Sequence, residues 1–341
     1  MACALRCPRR YWYDNILGLK EANPSEALRI GTAVHNGGEA RAKGLDFGAQ
    51  YAAALTGGTL DEWMAAKVFG ILGAYDRTYG EIEDRDCSAM EPEVEFTDPI
   101  DGSRTFEQRG KVDGLAVLKD GRRVVWERKT TSDDVGETSD YWNRLKFNIQ
   151  LLAYAGWVYH ATGELPVCVY DVIRKPQLQP KANIPDLDAD GLPIVLDANG
   201  QRCIKRDGTP KKTADSAKGE RMAGHPETPD EYGSRILDAM SAEAERYFAR
   251  REVAITLDML DEFRRERLGV CRMLLHFAAE ARKSERPEYA YPRACNPDNC
   301  RSCPFAGMCL NRIHVDEANV PEGFRIAKHE ELSQPQGAVV A

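Results

Sequence analysis

The stretch RTFEQRGKVDGLAVLKDGRRVVWERKTT, residues 104–131, decides how the chain is read. Two apolar-rich runs flank Lys119-Asp120-Gly121, the composition of a turn between antiparallel strands. The second run ends by placing Glu127 and Lys129 two positions apart. Alternate side chains of a strand share a face, so these two project together while Arg128 projects the other way. Alone, such a triplet describes a solvent-facing ion pair of little energetic weight. Its surroundings have to say more.

The turn length decides where Asp113 goes. A two-residue loop at Asp120-Gly121 would pair Asp113 with Arg128 and turn it away from Glu127. A three-residue loop with Gly121 in the left-handed position sets Leu118 opposite Arg122 and Asp113 opposite Glu127. The second register is the better fit, and it puts two carboxylates and a lysine on one face. Like charges that close are destabilising unless a cation lies between them. Mg²⁺ suits one or two carboxylates together with water and phosphate oxygens.

Upstream, residues 1–20 read as a helix ending near Gly18, 25–43 as a helix capped by Ser25, and 60–79 as another. Gly37 and Gly38 weaken the middle of the second. The segment 91–98 is strand-like. Downstream, 139–163 has helical spacing with Gly163 as its stop, and 166–175 reads as a strand. Residues 176–230 form a polar, basic insertion with a small hairpin at 194–206. Helical patterning resumes over 231–248 and 257–281, and the tail from 315 is loop-like. This order predicts an α/β domain, a small mixed β-sheet flanked by helices. The expected units are 1–89, a core at 90–175, the insertion at 176–230, helices with cysteines at 231–314, and the tail at 315–341.

His35 lies in the second helix, and Gln150 and Tyr154 stand four apart on one face of the helix that follows the ExK strand. Each has an ordinary structural explanation taken singly. Together, Gly31-x-x-x-His35, Asp113, Glu127-Arg128-Lys129 and Gln150-x-x-x-Tyr154 resemble, in order and spacing, the motif series of the RecB-type PD-(D/E)XK nucleases. The likeness covers most of 1–175 and the C-terminal cysteines, and leaves out 176–230. Val112 stands where that family often has Pro, and Arg128 where it usually has an apolar residue. The resemblance implies a restriction-endonuclease-like core. It implies Mg²⁺ or Mn²⁺ bound by Asp113, Glu127, the Arg128 backbone carbonyl and His35. Lys129 would activate water, and Gln150 and Tyr154 would hold the DNA strand or the lysine.

The chain has ten cysteines, three of them in CRSCPFAGMC as Cys300, Cys303 and Cys309. Three thiols within ten residues signal ligation, with Cys295 or Cys7 as the fourth and with zinc or an iron–sulfur cluster as the group. Iron–sulfur members of the same branch, AddB-like and CRISPR-adaptation nucleases, resemble this pattern: one cysteine before the core and C-x2-C-x5-C after it. That likeness implies Cys7 and a [4Fe–4S] cluster joining the two helical ends of the chain, with Zn²⁺ the alternative.

The 341 residues are 43% hydrophobic and 29% charged, with a net charge of −8, so any nucleic-acid contact must come from local patches. Lys205, Arg206, Lys211 and Lys212 in the insertion are candidates, as are Arg6, Arg9 and Arg10 interleaved with Tyr11, Trp12 and Tyr13, whose aromatics have a place in the core as the alternative. No apolar run reaches the roughly 20 residues of a membrane span, and the N-terminus lacks a signal core, which predicts a cytoplasmic protein. No P-loop is present, so unwinding would need a helicase or recombinase partner. The expected activity is a DNA exonuclease, with endonuclease action or a non-catalytic DNA-binding subunit as alternatives.

Overall fold

The hairpin forms in the register of its three-residue turn. Strand β2 (Glu107–Leu118) pairs with β3 (Arg123–Thr131) from Val117↔Arg123 to Gly114↔Trp126. Leu118 N–H donates to the Arg122 carbonyl at 2.9 Å, and Gly121 takes φ +88°, a conformation that side chains with a Cβ avoid. The structure is a computed structural model and describes residues 2–327 apart from 57–59, 147 and 296. The last residues of the expected tail, 328–341, lie outside these.

Around the hairpin stands a five-stranded mixed sheet. Strand β1 (Cys87–Pro99) pairs antiparallel with β2; β4 (Val167–Arg174) runs parallel to β3; and β5 (Phe248–Val253) closes the edge antiparallel to β4. The spatial order is β5–β4–β3–β2–β1. Before the sheet come α1 (Glu26–Ala42), α2 (Phe47–Leu55) and α3 (Glu62–Asp86). The crossover from β3 to β4 carries α4 (Asp140–Lys146) and α5 (Ile149–Thr162), and α6 (Pro229–Ala242) and α7 (Leu257–Ala281) follow the insertion. The expected α/β order with a mixed sheet between helices is what the chain adopts.

Alternation along β3 and β4 divides the core. Val125, Cys168, Tyr170 and Val172 face α4, α5 and α7 in one cluster, with Trp142, Leu151 and Leu260. Ile173 faces the other layer, where Val34, Ile71, Tyr75, Ile236 and Phe248 pack α1, α3, α6 and β5 together. The ends of the chain meet in a third apolar cluster containing Trp12, Tyr13, Leu19, Tyr291, Phe305 and Met308. There Leu19–Glu21 forms a two-stranded ladder with Phe324–Ile326.

Four differences from the sequence reading have local causes. The helix expected over 139–163 is broken, because Asn148 is extended and its side chain accepts the Gln150 N–H, starting α5 afresh. The helical pattern to 248 stops at Tyr247, and 248–253 becomes the β5 edge strand. The tail contributes the strand at 324–326. The insertion is built of three successive tight turns, at Asp188–Leu192, Asp197–Gln201 and Lys205–Thr209, rather than one hairpin.

Because the turn dictates the register, Gly121→Val should lower stability by about 1–2 kcal/mol. A shift of the urea midpoint at constant slope would show it; an unchanged midpoint would mean the turn is not held in the left-handed region.

Candidate active site and cysteine pocket

The β2–β3 ladder ends at Gly114↔Trp126, one residue short of Asp113 and Glu127. Continued by one step, the same register places these two acids across from each other, as the three-residue turn requires. At this point the Asp113 side chain bridges the strands: its Oδ2 accepts the Arg128 backbone N–H at 2.7 Å. His35, carried in by α1, holds Nδ1 at 3.8 Å from Asp113 Oδ1. Burial lowers the His35 pKa, against the pull of Asp113.

Glu127 is 1% exposed. One of its oxygens accepts from the Lys129 ammonium, and Oε2, also buried, has no hydrogen-bond partner among the described residues. Burial drives the Glu127 pKa upward against the neighbouring Lys129, and Asp113 pushes it the same way. An orphaned carboxylate oxygen in the interior is costly unless a further cation or donor meets it.

Lys129 is oriented by a chain of hydrogen bonds whose polarity follows from its far end. The Lys111 carbonyl only accepts, so Tyr154 donates to it, at 2.7 Å. The phenol oxygen then accepts from Gln150 Nε2 at 2.6 Å. That turns Gln150 Oε1 toward Lys129, which donates to it at 2.8 Å. Gln150 and Tyr154, one turn apart near the start of α5, thereby fix the ammonium beside Glu127 and tie the helix to β2 two residues before Asp113. All five candidate catalytic side chains, and His35, meet at one end of β3.

Arg128 projects off this face, as expected, and its destination explains why an arginine is there. Its Nε lies 3.3 Å from Oδ2 of Asp171, its register partner on β4. Arg250, the partner of Asp171 on β5, donates to Oδ1 at 3.1 Å. Tyr75 O–H and Trp126 Nε1 donate to Oδ2 as well. Burial works to raise the Asp171 pKa, but Arg250 and Arg128 overcome it and hold the acid below the ordinary carboxylate range. Sequence reasoning missed this network. Its one signal was an acid in the apolar run VCVYDVIR.

Cys7, Cys300, Cys303 and Cys309 line a single cavity of about 30 Å³ where the N-terminal helix at Pro8–Tyr11 meets the C-terminal segment. Cys295 lines it too, and Cys3 does not. Arg6, Arg9, Arg10 and Arg293 complete much of the wall, and the buried Arg10 Nε has no hydrogen-bond partner among the described residues. Among the described residues no three His, Cys, Asp or Glu side chains are grouped to hold one metal ion, here or beside Glu127.

The other candidate DNA contacts fare unevenly. Trp12 and Tyr13 are core residues, and Arg9 is buried, its Nε on the Tyr291 carbonyl at 2.9 Å, so these cannot stack on or grip a strand. In the insertion Lys211 is held by Glu220 at 2.8 Å. The segment 176–230 carries eight basic and nine acidic residues and is not basic as a whole. Lys205, Arg206 and Lys212, around its third turn, make no ion pair with a described residue.

No curated protein matches the chain. Among solved structures, one titled "Crystal structure of SSO0001" aligns at 15% identity over 66% of this chain and 78% of that one, with a TM-score of 0.21, too low a likeness to bear on the fold. No helix among the described residues is long and apolar enough to cross a membrane. The family profile described as "PD-(D/E)XK nuclease superfamily" matches residues 1–310, a span that takes in every motif assembled above, and the chain belongs to that superfamily.

Proposed function

We propose that the chain hydrolyses phosphodiester bonds in DNA as an exonuclease working at ends or on single strands, with Mg²⁺ or Mn²⁺ at Glu127 and a [4Fe–4S] cluster at the cysteine pocket. The observation that carries the first part is the buried Glu127, with one oxygen on Lys129 and the other without a partner among the described residues, beside Asp113. Membership of the superfamily implies a metal-dependent nuclease. The preference for ends and a place in recombination, repair or phage DNA processing rest on the RecB-type likeness of the motif series.

Asp113, Glu127, the Arg128 carbonyl and His35 would hold the divalent cation. When bound, it polarises the phosphate and lowers the pKa of the attacking water. Lys129 supplies a fixed positive charge for the phosphate and a donor to orient the water. Gln150 and Tyr154 keep that ammonium from wandering, because their hydrogen bonds run in one direction from the Lys111 carbonyl. Lys205, Arg206 and Lys212 suit sequence-independent contact with backbone phosphates.

At the pocket, four thiols in the expected spacing surround one cavity, and arginines balance their charge as thiolates. The RecB-type likeness of the cysteine spacing is what favours a cluster, and zinc, which four thiolates also suit, is its rival. The cluster would pin ends that already share an apolar core, so its role here is a staple.

Three outcomes test these assignments. Glu127→Gln and Lys129→Ala should each reduce cleavage of labelled DNA at least about 10³-fold while leaving the melting temperature within a few degrees; retained cleavage in either would refute the site. Burial raises the Glu127 pKa above the ordinary carboxylate range, and a protonated carboxyl does not ligate. The half-saturating Mg²⁺ concentration should therefore fall as pH rises through that raised pKa and level off above it; a flat profile would exclude Glu127 as a ligand whose pKa is raised. Protein purified without oxygen should be brown, and Cys7→Ala should lose both the colour and thermal stability. A colourless protein with stoichiometric zinc would overturn the cluster.

A further inference from the structure

Asp171 is the most enclosed ionised group in the sheet, at 0% exposure, and it lies directly across the strands from the active face. Its two flanking partners in the register are both arginines, Arg128 on β3 and Arg250 on β5. Arg250 also donates to the Tyr75 hydroxyl at 2.6 Å and packs over the Tyr79 ring at 3.6 Å and the Trp126 ring at 4.7 Å. Arg128 lies over Tyr75 at 5.5 Å. Neither guanidinium can shift without breaking several of these contacts.

Arg128 is also the residue between Glu127 and Lys129, and its N–H is the one that Asp113 accepts. A second contact leads to α1. A Cβ on Gly38 would lie 2.0 Å from Arg128 Nη1 and 2.6 Å from its Cζ, so α1 crosses β3 directly on the guanidinium. Gly38 is one turn beyond His35 on the same side of α1. The glycine that weakens the helix by propensity is what admits the arginine.

We propose that Asp171 is a positioning residue for the nuclease site, acting through Arg128 from the opposite face of the sheet. It fixes the peptide between Glu127 and Lys129 that receives Asp113, and through the Arg128–Gly38 contact it sets how closely α1 brings His35 to Asp113. This rests on the metal site proposed above, and the experiment keeps the two apart.

Mn²⁺ affinity, read by electron paramagnetic resonance without substrate, is measured beside DNA-cleavage kinetics and thermal melting for the full chain and five variants, Arg128→Met alone among them. Wild type should bind Mn²⁺ and cleave; if it does neither, the metal-site reading itself fails. Asp171→Asn should weaken Mn²⁺ binding about tenfold per folded molecule and lower kcat with little change in the KM for DNA. The near-isosteric Tyr75→Phe, which removes one donor to Asp171 and the acceptor of an Arg250 N–H, should weaken it about threefold and keeps the test open if Asp171→Asn does not fold. Gly38→Ala should weaken it about tenfold, and Arg128→Met in the same chain should make that alanine nearly silent. If wild type binds Mn²⁺ while the folded variants match it and only their melting temperatures drop, the network is merely structural and the inference is overturned.

Discussion

The peptide of Arg128 is where the two halves of this molecule meet. Its side chain goes down into the buried salt-bridge network around Asp171, and its N–H goes across to Asp113. The residues on either side of it, Glu127 and Lys129, turn up into the site. Removing one partner of so enclosed a network would leave buried charge unpaired, at a cost of about 3–5 kcal/mol. A strand anchored this firmly on one face can carry a strained arrangement on the other, and the orphaned Glu127 oxygen is such an arrangement.

The site also shows how polarity propagates from backbone to catalytic side chain. A carbonyl that can only accept orders Tyr154, Tyr154 orders the Gln150 amide, and the amide orders Lys129. Hydrogen bonds to a charged group contribute about 1.5–3 kcal/mol each, so the lysine is held against both solvent and alternative rotamers. Asn148 is part of the same logic, since its cap starts α5 at the residue that places Gln150 over the strand.

Much of this was legible in the sequence because it depends on local rules. The period of two separated Glu127 and Lys129 from Arg128, and the left-handed glycine at 121 set the turn length and hence the position of Asp113. The spacing of Gln150 and Tyr154 put both on one face of a helix. What was not legible depends on contacts between segments far apart in the chain. Nothing near residue 250 announced an edge strand delivering an arginine to Asp171, and the aromatic run at 11–13, open to a core reading as well as a strand-binding one, did not say that the C-terminal segment would be what buries Trp12 and Tyr13. The insertion misled through composition: counted one sign at a time it looked basic, yet its acids match its lysines and arginines in number.

The most direct test is digestion of end-labelled single- and double-stranded DNA by protein purified without oxygen, with Mg²⁺ or Mn²⁺ and in parallel with EDTA. The account predicts metal-dependent release of labelled product, abolished by EDTA. Intact DNA in every metal-containing lane, from folded protein that carries its cysteine-bound group, would contradict it.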